Sequence, residues 1–257
     1  MPPSRDTIDL NCDMGESFGL YNLGDDAEML DIVTSANIAC GFHAGDPLVM
    51  QRTVEMAVAK GVAVGAHPGY PDLQGFGRRA LKMMDDDLAC SIIYQLGALS
   101  GFTRAAGVPL RHVKPHGALY NTAAREPAVA AAVVRAVASF DKGLIVIALP
   151  GSALADAATQ AGLTVAREGF ADRAYDCDGH LVPRGTPGAV IQDPAAAAAR
   201  AIRMISDGTV EAITGEVIPL EIETLCIHGD TPEAPAIAHA LRTQLEAHGI
   251  NVRPIAT

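Results

Sequence analysis

At 257 residues the chain suits one large domain or two small ones, and 49% hydrophobic against 19% charged residues supplies a sizeable core and argues against disorder. The formal net charge of −11, with no run of Lys or Arg, argues against nucleic acid as a partner, because a phosphate backbone needs a basic surface. Five cysteines, odd in number, scattered and without a CxxC pair, argue against a disulfide framework or a zinc ribbon.

No apolar run approaches the roughly 20 residues that span a bilayer. The opening "MPPSRDTIDLNCD" carries no basic-then-apolar leader. The composition reads as that of a soluble, cytoplasmic protein that handles something small, with no membrane partner.

In chain order, "TIDLN" (7–11) predicts the first strand and "SANIAC" (35–40) the second. Asp46-Pro47 supplies an N-cap and an N1 proline for a helix whose apolar face runs through Val54 and Val58 and which stops at Gly61. "VAVGA" (62–66) follows as a strand. A helix over 85–107 places three aspartates in its first turn, where they suit the helix dipole. "RHVK" (111–114), "LIVIAL" (144–149) and "LTVAR" (163–167) are further strands. The irregular stretch 170–190 is too long for a simple βα connection and is expected to form a hairpin or lid over one end of the fold. Asp193-Pro194 opens an alanine-rich helix that stops at Gly208, "ETLCI" (223–227) is the seventh strand, and Thr231-Pro232 opens a last helix that stops at Gly249.

Seven short apolar strands alternating with helices imply parallel pairing and right-handed crossovers. No GxGxxG follows the first strand, so a closed or nearly closed (β/α) barrel fits better than a doubly wound sheet. The expected organisation is α/β, a single domain over 1–257 formed as a seven-stranded barrel.

In such a barrel the active site lies just past the C-terminal ends of the strands. The first strand ends in "NCDMGE", with Asn11, Asp13 and Glu16. The second ends in "CGFHAGD", with His43 and Asp46, and the third in "GAHPGYPD", with His67 and Asp72. The fourth delivers Lys114, His116 and Asn121, the sixth Glu168, Asp172 and Arg173, and the seventh His228 and Asp230. This recurrence of imidazoles and acids at strand ends is the functional signal, because titratable groups there are costly to bury without partners or purpose. Asp46 also reads as a helix cap and Asp230 as a turn residue, His112 as structural, and His180, His239 and His248 as surface residues.

There is no G-x-S-x-G elbow and no Cys-His pairing that would suggest acyl transfer. The set suits hydrolysis by activated water. A carboxylate such as Asp13 would take the proton, and His or Lys would stabilise charge on the carbonyl oxygen. An Asp with two or more His, here Asp13, His43, His67 and His116, could instead hold a divalent metal. Spacing alone does not separate these chemistries.

The stretches "IDLNCDMGESFG", "SANIACGFHAGDP", "GVAVGAHPGYPDLQGFGRR", "HVKPHGALYN", "FADRAY" with "LVPR", and "CIHGDTP" resemble the LamB/YcsF family over residues 8 to about 250. The resemblance implies a distorted seven-stranded barrel of the glycoside hydrolase/deacetylase kind. It also implies the role of the A subunit in a bacterial 5-oxoprolinase, the ATP-dependent opening of 5-oxo-L-proline to L-glutamate with partner subunits B and C. No G-x-x-x-x-G-K-[ST] phosphate loop is present. ATP would therefore bind through an unfamiliar cradle such as Gly75, Gly77 and Arg78 with Lys114, or be supplied by the partners. On this reading Asp13 or Glu16 activates water, His43, His67 and His116 orient substrate or hold a metal, and Asn11 and His228 bind substrate. Lys114 neutralises the oxyanion or a phosphate, and Arg173 pairs with the substrate carboxylate. A stand-alone metal-dependent amide hydrolase or deacetylase and a non-catalytic substrate-binding subunit remain the alternatives.

Overall fold

The computed structural model describes residues 6–183, 185–191, 193–227 and 234–255. In chain order the elements begin with β1 (Thr7–Met14), α1 (Asp26–Met29), β2 (Ser35–Ala39), α2 (Pro47–Ala59), β3 (Ala63–His67), α3 (Asp85–Ala105) and β4 (His112–Val113). Two helices, α4 (Gly117–Arg125) and α5 (Pro127–Phe140), precede β5 (Ile145–Ala148), α6 (Ala153–Gln160) and β6 (Val165–Phe170). Then come α7 (Pro194–Asp207), a hairpin of β7 (Thr209–Glu211) and β8 (Val217–Pro219), β9 (Thr224–Cys226), α8 (Ala234–Ala247) and β10 (Asn251–Val252).

Strands β1 to β6 pair in sequence order, all parallel, and β9 closes the ring by pairing with both β6 and β1. The seven expected strands are the seven staves of this closed barrel. Its closing seam is set by the registers Asp9↔Thr224 and Glu168↔Thr224. Strand β10 adds to the start of β1, and the antiparallel β7–β8 hairpin stands apart from the barrel; neither was anticipated. Their shortness, two or three residues each, leaves no periodicity to read.

Local punctuation acts as expected. Asp46 caps α2 by accepting from the amides of Leu48 and Val49, and Asp193 caps α7, which ends at the left-handed Gly208. Asp85, Asp86 and Asp87 occupy the first turn of α3. The Thr231-Pro232 start of α8 lies outside the described residues. The stretch after β6 folds through isolated antiparallel bridges, Tyr175↔Leu181 and Arg173↔Val190, so it is hairpin-like without a regular ladder.

The outer faces of the strands and the inner faces of the helices form one continuous apolar cluster that includes Leu10, Ile38, Val64, Val113, Leu96, Leu119 and Val137. The barrel interior departs in part from the usual filling of Val, Ile and Leu, which among the described residues is confined to Ile145 and Ile147 of β5 beside Ala166 of β6. Side chains of β1, β2, β4, β6 and β9 meet there as polar groups. His112 on β4 reaches Asn37 on β2 at 2.8 Å, and Lys114, just past β4, reaches Asn11 on β1 at 3.1 Å. These strands are not neighbours in the sheet, so the bonds cross the lumen.

His112 enters the lumen because β3 offers it Gly65. A Cβ at that position would overlap the His112 ring at Nε2. Gly65→Ala must therefore displace the ring or the strand, an overpacking cost of about 3 kcal/mol. Chemical denaturation of this variant should show a loss of that order with an unchanged m-value.

Candidate active site

A cavity of about 540 Å³ opens at the C-terminal end of the barrel, lined at its depth by Asp13, Glu16, His67, Lys114 and His116. Arg78 and Arg173 also reach it, and Leu181, Val182 and Pro183 of the irregular stretch wall one side. That segment borders the cavity, as the lid expectation required. Asn11 and His43 are wholly buried beneath the cavity floor. His228 lies outside the described residues.

The carboxylate of Asp13 is held from below. Its Oδ1 accepts from Asn37 Nδ2 at 2.9 Å and from Lys114 Nζ at 3.0 Å, and its Oδ2 lies 3.3 Å from His67 Nε2. Lys114 Nζ also meets Glu168 Oε1 at 2.7 Å, Asn11 Oδ1 at 3.1 Å and the Cys226 sulfur at 3.1 Å. Burial alone would push the Lys114 ammonium down. The charges of Asp13, Cys226 and Glu168 outweigh it and hold the group well above the usual lysine value. An ammonium has three protons to give, and these neighbours absorb them. Lys114 thus serves to hold Asp13 and Glu168 in place.

The imidazoles are fixed by backbone carbonyls. His67 Nδ1 lies 2.7 Å from the Lys114 carbonyl and His116 Nε2 lies 2.8 Å from the Phe76 carbonyl. A carbonyl can only accept, so each ring carries its proton on that nitrogen. The opposite nitrogens, His67 Nε2 and His116 Nδ1, face one another at 2.9 Å, and in the neutral rings both present lone pairs. Glu16 Oε1 stands 3.3 Å from His116 Nδ1 and 3.2 Å from His43 Nε2. His43 donates to Glu16 and stacks on His116 with ring centroids 3.7 Å apart. Its Nδ1 is buried without a partner. Burial, with His116 and His67 nearby, pushes His43 well below the usual histidine value; burial brings His116 down to about 3.

Glu16, His43, His67 and His116 offer ligand atoms that all lie within 4.8 Å of one another. Asp13 joins this set through its contact with His67. Backbone acceptors on the far nitrogens are the usual partners of metal-bound histidines, so the donors fit a divalent cation. Compared with the sequence expectation, Glu16 moves into the cluster, and Asp13 stands at its edge.

The segment over these rings is built for close approach. Phe76 adopts φ +54, the one left-handed non-glycine among the described residues, and its carbonyl is the one that orients His116. A Cβ on Gly77 would stand 2.7 Å from His43 Cβ. The amides here are already used: Gly75 donates to Asp72, Gly77 to the Asp72 carbonyl and Arg78 to the Gly75 carbonyl. Gly75 and Gly77 therefore close their own turn, and of the residues expected to cradle a nucleotide Arg78 and Lys114 line the cavity.

The profile of the LamB/YcsF family matches residues 8–257. This chain belongs to that family. Relatives named as the A subunit of 5-oxoprolinase, from Symbiobacterium thermophilum and Methylococcus capsulatus, are 58% and 56% identical over 95% and 96% of the chain and 94% and 95% of their own lengths. The crystal structure of a lactam utilization protein from Thermus thermophilus superposes with a TM-score of 0.93 at 48% identity, covering 97% of this chain and all of that one. No helix among the described residues is long and apolar enough to cross a membrane.

For this LamB/YcsF chain the sequence located Asp13, Glu16, His67, Lys114 and His116 but gave no role to Asn37. Its signal was present as a buried amide at an inward position of β2, two residues after the inward Ser35. His112 is structural, as expected, and sits inside the lumen. Burial pushes it down to about 3. An unfolded histidine binds a proton below about pH 6.5, so folding loses stability as the pH falls from there toward 3. At pH 5 this one group costs about 2 kcal/mol. His112→Gln should flatten the decline of the thermal midpoint between pH 7 and pH 5 relative to the unaltered protein.

Proposed function

We propose that this chain is the A subunit of a 5-oxoprolinase, opening the lactam of 5-oxo-L-proline to L-glutamate in an ATP-dependent reaction with partner subunits B and C. The observation that carries the reading is near full-length identity above 50% to relatives bearing that subunit's name. The cavity supports it. Two acids, two imidazoles and a buried ammonium meet where a small cyclic amide fits.

A five-membered lactam is an unstrained amide, so attack by water needs both a base and activation of the carbonyl. Asp13 is the base. Lys114 and Asn37 direct their protons at Oδ1, leaving Oδ2 toward the cavity side where His67 stands. Glu16, braced by His43, faces the same point. His67 and His116, as neutral rings with their lone pairs turned inward, accept from the lactam N–H, and Arg173, anchored by its Nη2 on the Val182 carbonyl at 2.7 Å, binds the substrate carboxylate. Arg78 takes the phosphate contact that the used-up amides of its turn cannot make. ATP coupling places the reaction in the cytoplasm.

The facing lone pairs of His67 and His116 favour one further component, a divalent cation held by these two nitrogens with Glu16. Such a cation supplies Lewis acidity toward the lactam carbonyl. A stand-alone metal-dependent amide hydrolase is the second reading, and the same observation favours it.

Turnover of labelled 5-oxoproline separates the two. Glutamate should form only when this chain, subunits B and C, and ATP are all present. Glutamate from the isolated chain without ATP, lost on chelation, would establish the second reading. In the complete complex, Asp13→Asn should lower kcat by about 10³-fold, within the range for loss of a general base; full activity would remove Asp13 from that role. Metal content measured on the purified chain should fall in a His67→Ala, His116→Ala double variant.

A further inference from the structure

The polar groups of the lumen have only one consistent direction of donation. Asp13 is a carboxylate and accepts, so the group 2.9 Å from its Oδ1 is the amide nitrogen of Asn37. The same nitrogen donates to Asn11 Oδ1 at 2.7 Å. Asn37 Oδ1 must then face His112 Nε2, 2.8 Å away, and that nitrogen must carry the proton. Asn11, fixed by accepting from Asn37 and Lys114, gives its own amide protons to Thr224 Oγ1 at 2.7 Å. Thr224 donates in turn to Asp9. Reversing any one amide would set two donors or two acceptors against each other.

We infer that Asn37 is a positioning residue for Asp13, held in its working orientation by the Nε2 proton of His112. The inference rests on the reading of Asp13 as the base. Asn37 is fully buried and touches no part of the cavity, so it reaches the reaction only through the carboxylate. It grips Oδ1 from the β2 side as Lys114 grips it from the β4 side. Two donors on one oxygen leave the rotation of the carboxylate fixed and its second oxygen directed toward His67. Lys114 alone would not fix that rotation, because a rotatable ammonium can follow either oxygen. His112 supplies what Asn37 lacks, a reason to present nitrogen rather than oxygen. Gly65 exists to admit the ring that does so.

The test uses the complete complex with ATP. Asn37→Leu should lower kcat about 100-fold while KM for 5-oxoproline changes less than about twofold, the size expected when a supporting hydrogen bond to a reacting group is lost. Should that variant fail to fold, His112→Phe keeps a flat ring in the Gly65 gap and leaves Asn37 in place. It should lower kcat about 10-fold, and His112→Gln, whose amide nitrogen takes the place of Nε2, should restore most of it. Two readouts need no turnover. Nitrogen NMR of the chain should show His112 as the Nε2–H tautomer, and a crystal structure of His112→Phe should show the Asp13 carboxylate rotated from its present setting. An Nδ1–H tautomer, or kcat within about twofold with Asp13 unmoved, would overturn the inference. If Asp13→Asn proves active while the tautomer and the rotation are as expected, the base assignment fails and the positioning relation stands.

Discussion

The ammonium of Lys114, buried in the lumen of the barrel, is the interaction on which the rest of the structure depends. A charge at that depth is tolerated only when its protons are matched by fixed acceptors. The matching groups come from β1, β6 and β9, which puts Asp13, Asn11, Glu168 and Cys226 in one shell around a residue at the end of β4. Removing one partner leaves an uncompensated charge, so the barrel's closure and the site's electrostatics share one set of contacts. The seam where β9 joins β1 and β6 passes through that shell, and its register is legible in the same residues.

This arrangement explains the polar side of the lumen, between β1, β2, β4 and β9. Once Lys114 and Asn37 together fix the directions of Asn11 and Asp13, each further group has one way to satisfy its neighbour. The chain of donations ends at Asp9, which takes protons from Thr34, Ser35 and Thr224. Burial still pushes Asp9 up to about 6, against the lowering effect of those three donors. The apolar stabilisation is displaced to the outside of the staves, where Leu10, Cys12 and Met14 alternate with Asp9, Asn11 and Asp13 along β1. The inner faces of β1, β2 and β4 are thus assigned to polar contacts, while the inner face of β5 presents Ile145 and Ile147, packed with Ala166 of β6 in a separate apolar cluster.

That division decides what the sequence could reveal. The seven staves were legible because each carries a short apolar run bounded by glycine or a cap, and the Asp46 and Asp193 caps have a local mechanism. The strand-end acids and imidazoles were legible from the rule that a barrel site lies at that end. Asn37 was not, because its meaning arises from a residue 75 positions away across the lumen. The exclusion of Asn11 and His43 from the cavity surface depends on side-chain direction, which spacing does not carry. The glycines of 75–77 suggested a phosphate cradle by composition alone, whereas the amides of Gly75 and Gly77 turned out to be spent on Asp72.

The two halves of the site are consequently fixed by different means. Asp13 and Lys114 take their geometry from side chains on strands, inside a lumen that cannot relax without breaking the barrel. His67 and His116 take theirs from main-chain carbonyls, one at the end of β4 and one at the strained Phe76. Glu16 belongs to neither set alone, since it follows β1 but leans on His43 and His116. A disturbance of the turn at 72–79 would therefore free the His116 tautomer first, and with it the opposition of lone pairs, while leaving Asp13 gripped by Asn37 and Lys114. Strain at Phe76 is worth retaining because it presents a carbonyl, an obligate acceptor, to a ring whose other nitrogen must stay bare. The imidazole pair can be retuned through a loop, whereas the carboxylate can be altered only by changing the barrel itself.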